Sequence, residues 1–222
     1  MKIIENIKSC SALKAPALHR VSSTFAQKVK TFRANKDGIA AVEFALLSPV
    51  MIALYFGLVE ISMIIQADKS VSFSTNIAGD LTTQITNVER DDIIDIFQGT
   101  LSTMVIKDED IQDVRMEIIS YRGLPGDVAE EVGRATLNGG LIGAAYDPST
   151  IGHRLLTEGS GAVVARMQYQ YESVTYKFVE QFTNLEETFV LKPRNSPEVL
   201  FSTDGSIGTY ACTATNSISV SC

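Results

Sequence analysis

The chain has 222 residues, 45% of them hydrophobic, with 26 acidic against 19 basic side chains and a formal charge of −7. That length allows one membrane segment and one modest globular domain. The charge is unevenly placed: residues 1–38 carry +6 and residues 39–222 carry −13, so the body of the chain excludes a nucleic-acid-binding surface.

The first 38 residues form a basic arm, with Lys28, Lys30, Arg33 and Lys36 crowding its end before Asp37-Gly38. An apolar run follows, Ile39–Ile65, with no charge from Phe44 to Val59. As a helix its length is roughly 40 Å, more than the ~30 Å hydrocarbon core of a bilayer. A signal peptide has a shorter apolar stretch and small residues at a cleavage site, whereas Gln66-Ala67-Asp68-Lys69 follows here. A buried helix of a soluble protein would not explain the abrupt basic flank. The run is read as a retained single-pass membrane helix. Only Lys69 lies close to its far end, so the positive-inside rule keeps the N-terminus cytoplasmic and sends the C-terminal part across.

Two residues inside the run stand out. Glu43 would cost about 2.5–3.5 kcal/mol at mid-membrane. It lies only about 6 Å along the helix from Ile39, so it either finds a partner or snorkels to the headgroups. Pro49 predicts a kink near Ala45–Pro49, of the kind membrane helices tolerate. Glu60 falls toward the far interface, where it can be solvated.

Beyond the membrane, Val71, Ile77, Ala78, Leu81 and Ile85 continue at helical spacing, which predicts one long helix from about Ile39 to Thr86 with an amphipathic second half. Asn87–Arg90 breaks it. A second helix runs from Asp91 to Val105, with acids in its first turn, where the helix dipole favours them. Val114–Arg122 alternates as a strand, Gly123–Gly126 is a turn, and Val132–Leu137 returns as a short strand. Residues 138–160 read as a loop, Ala162–Lys177 as the clearest strand, and Glu187–Lys192 as its neighbour. The predicted class is α+β: a helical spine carrying a small antiparallel sheet. The organisation is a basic cytoplasmic leader (1–38), a transmembrane helix (39–65, helical to about 86) and a periplasmic head (87–222).

Cys10 lies in the leader, whereas Cys212 and Cys222 lie in the translocated part, where a disulfide persists. They either pair, for about 2–3 kcal/mol on the chain-entropy model, or stand as two thiols.

Gly38-Ile39-Ala40-Ala41-Val42-Glu43-Phe44 resembles the processing site of type IV prepilins of the tight-adherence (Flp) class. With Ala45, Leu46, Pro49, Gly57 and Glu60 added, the segment resembles the TadE/TadF-like minor pseudopilins. A second resemblance, to the strand pair and ending of TadE-like heads, lies in Val163–Tyr171 and Glu187–Arg194. The terminal Cys pair is similar to the tails of some members. The resemblance implies cleavage between Gly38 and Ile39 by a prepilin peptidase. It implies that Glu43, followed by Phe44, offsets the N-terminal amine of a neighbouring subunit. Implied partners are that peptidase, a sister pseudopilin, the inner-membrane assembly platform and the major pilin.

Catalytic and metal chemistry find little to stand on. His19 and His153 are isolated, and neither Ser160 nor Ser206 fits a nucleophile elbow. Asp204–Gly208 reads as a turn. The clusters Asp91/Asp92/Asp95 and Asp108/Glu109/Asp110/Asp113 read as solvated ends rather than Ca²⁺ loops, having no EF-hand glycine. No enzymatic activity, metal or other cofactor is expected. The rival expectation is an uncleaved, membrane-anchored periplasmic adaptor of a secretion or envelope complex; an anchored hydrolase is a third class, without a candidate nucleophile and base.

Overall fold

The computed structural model describes residues 37–104, 108–126, 128–152, 154–172, 182–203, 206–215 and 218–222. The basic leader, Val105, His153, Asp204-Gly205 and the stretch 173–181 lie outside the described residues. The chain divides into two compact units, 1–56 and 57–222.

Helix α1 spans Asp37–Thr83, 47 residues. It starts two residues before the expected position, because Gly38 falls among the first residues of the helix, where backbone N–H groups have no intrahelical partner anyway. Its side chains from Ile39 to Phe56 are almost all exposed, among them Phe44, Leu46, Leu54 and Tyr55. Pro49 lies within the helix without ending it. Proline has no N–H to give the Ala45 carbonyl, and the Ser48 hydroxyl donates to that same oxygen at 3.4 Å.

Past Glu60 the same helix changes character. Ile64 and Ala67 pack against the core, and Val71, Ser74, Thr75, Ala78, Thr82 and Thr83 are buried. The expected face was wrong in part: Leu81 is exposed and Ile77 half-buried, while the buried stripe is made of small and hydroxylated residues. Their hydroxyls are satisfied locally. Thr75 donates to the Val71 carbonyl at 2.7 Å and Thr82 to the Ala78 carbonyl at 2.8 Å. Ser74 meets Thr103 at 2.8 Å. The reason for small residues is close approach. A Cβ on Gly79 would stand 2.5 Å from Leu191 Cδ1 and 3.2 Å from Ala165 Cβ.

After α1 comes β1 (Asn87–Val88) where only a break was expected, then α2 (Arg90–Thr103). The Asp92 carboxylate accepts from the Glu89 N–H at 2.9 Å, closing the start of α2. A 3₁₀ turn at Asp108–Asp113 leads into β2 (Val114–Leu124), β3 (Val128–Leu137), β4 (Gly161–Glu172), β5 (Phe182–Leu191), β6 (Leu200–Thr203), β7 (Ser206–Ile207), β8 (Thr209–Thr215) and β9 (Ser219–Ser221). The main sheet has the order β5-β4-β2-β3-β8-β9, and β1-β6-β7 form a smaller one. Class α+β holds, with a mixed sheet: β3–β8 and β1–β6 are parallel, the other pairings antiparallel. Strand β3 starts four residues earlier than expected. Its polar start is held by charge, Glu130 and Glu131 facing Arg122 and Arg134.

The two faces of the main sheet are buried differently. On one, Met116, Ile118, Val163 and Met167 join Ile93, Phe97 and Leu101 of α2 and Val71 of α1 in one core. On the other, residues 138–160 lie as a strap over a smaller cluster of Ile119, Tyr121, Ala162 and Val164, closed by Ile151 and Leu156. The strap is fastened through polar groups. Arg115 donates to the Asn138 carbonyl at 2.9 Å, and the Gln168 amide oxygen accepts from the Ile142 N–H at 2.9 Å. Asn138, at φ 51°, uses its own amide to hold Ile111, Val114 and Ala214 backbone groups.

Gly79→Leu is expected to overpack the contact between α1 and the sheet and lower head stability by about 1–3 kcal/mol. A urea midpoint that falls without a change in slope checks it; an unchanged midpoint would show that the helix does not sit this close.

Candidate functional site: the anchored helix and its fastening to the head

The sequence-predicted residues fall into two sets. Gly38, Ile39, Glu43 and Phe44 lie together on the first two turns of α1, all exposed. A Cβ on Gly38 would meet nothing within 4 Å, so the backbone there is open to an approaching protein. The bond between Gly38 and Ile39 is helical in this structure, and a protease needs it extended. Unwinding a first turn loses only the few bonds its carbonyls accept, less than opening the helix interior would. Cys212 and Cys222 form the second set, joined by a disulfide that ties β9 to β8. The first set belongs to the compact unit 1–56 and the second to the unit 57–222.

One helix among the described residues is long and apolar enough to cross a membrane, and none of its most apolar window is buried in the protein. The exposed apolar surface is the chemical signature of a lipid-facing segment, because in water such a surface would be buried. Ser48 and Ser62 point hydroxyls back at the Ala45 and Leu58 carbonyls, so these two hydroxyls are satisfied within the helix.

Three features of the fastening were not anticipated. First, Glu60 does not stand in open solvent: its carboxylate faces the Tyr171 hydroxyl at the end of β4, with one carboxylate oxygen and the hydroxyl oxygen buried. Burial and then the Glu60 charge push the Tyr171 hydroxyl pKa up. Second, the segment after β5 closes the far end of α1. The Arg194 N–H donates to the Thr83 carbonyl at 3.0 Å, the Asn195 side chain donates to the Gln84 carbonyl at 2.6 Å, and Arg194 pairs with Asp80. Those carbonyls have no intrahelical partner, and a cation at a helix C-terminus is favourable. The signal was present, since Lys192-Pro193-Arg194 stood out in the sequence, but its target on α1 could not be read there. Third, Glu117 is buried between Arg134 and Arg166, and Arg166 reaches on to Glu186 at 2.9 Å and lies 5.7 Å over the Tyr146 ring. This charged row crosses β3, β2, β4 and β5 beneath the strap.

An apolar, exposed helix that becomes the spine of an α+β head defines the class: a single-pass membrane protein with a folded domain on one end. The family model for TadE-like proteins matches residues 38–78, so that segment is similar to TadE-like proteins. The match begins at Gly38 and ends within the buried stripe, so it covers both the lipid-facing and the head-facing parts of α1. No curated protein and no solved structure matches the chain.

Tyr121 and Tyr169 report on the two faces of the sheet. Burial, with Glu131 next, pushes the Tyr121 hydroxyl up to about 12. Burial, with Asp110 and Asp113 next, does the same for Tyr169. Both are protonated in the fold at a pH where the unfolded chain has ionised them. Their contribution is therefore complete below about pH 10 and is lost as pH rises through about 12. Stability measured between pH 9 and 12 is expected to fall, with tyrosinate absorbance rising in step with unfolding. Tyr121→Phe should flatten part of that fall.

Proposed function

We propose that this protein is a minor pseudopilin of a tight-adherence (Flp) type IVb pilus system. It would be cleaved by a prepilin peptidase after Gly38 and act in pilus assembly. The observation that carries this reading is the coincidence, on one helix, of the TadE-like match with Gly38, Glu43 and Phe44 at the start of an exposed apolar stretch. The protein sits in the bacterial inner membrane, leader in the cytoplasm and head in the periplasm, as the charge asymmetry about α1 favours. The basic leader holds the scissile bond at the cytoplasmic surface. Cleavage frees the α-amine of Ile39, and Glu43 of a neighbouring subunit offsets that charge where an unpaired one is costly. Its own work is packing rather than catalysis. Its partners are the peptidase, a sister TadE/TadF-like pseudopilin, the inner-membrane platform and the major pilin.

A second reading draws on the helical state of the Gly38–Ile39 bond. A bond already inside a helix fits an uncleaved, membrane-anchored periplasmic adaptor, with the basic arm as a permanent cytoplasmic anchor.

N-terminal sequencing of the membrane-extracted protein separates them. Ile39 as first residue is expected when a prepilin peptidase is co-expressed, and Met1 when it is not; Met1 under both conditions supports the adaptor. In piliated cells, Glu43→Ala is expected to leave processing intact and to reduce surface pili at least tenfold. Normal piliation by that variant would remove Glu43 from assembly.

A further inference from the structure

The two edges of the main sheet are treated unequally. At one edge β9 is three residues long and tied to β8 by the Cys212–Cys222 disulfide. At the other, β5 runs for ten residues, and all ten pair with β4 in one register without a shift, from Phe182 opposite Glu172 to Leu191 opposite Val163. Strand β2, by contrast, breaks register with β3 between Ser120 and Tyr121. Among the described residues no strand pairs with the outer side of β5. Exposed edges are usually blunted by shortness, a bulge, proline, or charged side chains. Residues 182–191 hold no proline, lysine or bulge, and the only charges that guard them are Glu186 and Glu187, which turn away an acidic strand but not a basic one.

The charges say what such an edge accepts. Glu186 lies on the strap face, where Arg166 meets it at 2.9 Å, and Glu187 lies half-buried on the core face, opposite Met167. A second copy pairing antiparallel through its own β5 with Glu186 opposite Glu186, near the strand centre, would set two glutamates against each other on the strap face. Like charges directly opposite destabilise a ladder. A strand with adjacent basic residues would meet one glutamate on each face, and its backbone would take the row of N–H and C=O groups that no described strand pairs with.

We propose that the outer edge of β5 takes up an extended, basic segment of a different protein as a seventh strand of the main sheet, with two adjacent Lys or Arg residues opposite Glu186 and Glu187. Nothing in this requires cleavage after Gly38 or a role for Glu43.

The test uses the full chain in lipid nanodiscs and two ten-residue peptides of alternating Thr and Val, one with a central Lys-Lys pair and one with Glu-Glu. The lysine peptide is expected to slow hydrogen exchange at least tenfold for those backbone amides of residues 182–191 that face away from β4, and to bind at least tenfold tighter than the glutamate peptide. Glu187→Gln, whose side chain is of the same size, should weaken the lysine peptide at least threefold while leaving the melting curve unchanged. Equal binding of both peptides, or no slowing in β5, overturns the proposal. So do outward-facing β5 amides that are already slow without peptide, whether dilution speeds them, which makes a second copy the occupant, or not, which means the edge is covered within the chain.

Discussion

A single helix has to satisfy two solvents. Up to about Phe56 α1 presents apolar side chains on every side, as a segment surrounded by hydrocarbon must. From Ile64 onward it has an inside and an outside, and the inside rests on a sheet close enough that Gly79 cannot carry a side chain without displacing Leu191. Both requirements are met without interrupting the backbone. At Pro49 the orphaned Ala45 carbonyl is taken by Ser48; on the sheet-facing side Thr75 and Thr82 turn their hydroxyls to their own helix. The head is then built outward from that line of contact.

How much of this could be read beforehand follows from what each residue contributes by itself. The membrane segment was legible because its signal is local and strong: an uncharged run, a basic flank, and Gly38 and Glu43 at the start. The second half of α1 was legible as a helix but not as a face. Apolarity pointed to Ile77 and Leu81, while the packed side is Val71, Ser74, Thr75, Ala78 and Thr82. Close packing selects for small size, and small hydroxylated residues look polar when read one at a time. Strand β3 was shortened for a similar reason: Glu130 and Glu131 belong to a strand only because Arg122 and Arg134 stand beside them. The last strands were missed although Thr209–Thr215 alternates strictly, burying Tyr210, Cys212 and Ala214. Their small, Thr-rich composition resembles a turn, and the parallel pairing of β8 with β3 joins residues more than seventy positions apart.

The fastening of α1 to the head is distributed along the helix. Glu60 meets Tyr171 near one end of β4, Gly79 meets Ala165 and Leu191 midway, and Thr83 and Gln84 are closed by Arg194 and Asn195 just past β5. Each contact is modest, and an exposed ion pair such as Arg194–Asp80 adds at most about 1 kcal/mol. Spread over more than twenty residues of helix, they fix its direction relative to the strands far better than one strong contact would.

The strap bears on where other proteins can act. With α1 and α2 covering one face of the main sheet and residues 138–160 covering the other, the apolar residues of β2 and β4 are withdrawn from contact. The row Glu131–Arg134–Glu117–Arg166–Glu186, buried at Glu117, makes the second face poor ground for a competing apolar ligand, since separating Glu117 from its arginines would leave a buried charge uncompensated. What the described head leaves open is therefore its margins: the side of α1 that carries Leu58, Ile61, Ile65 and Phe73, and the outer edge of β5. The first is apolar and belongs to the same helix as the exposed stretch before it. The second, as proposed above, offers backbone hydrogen bonds flanked by acid, a chemistry unlike that of the first.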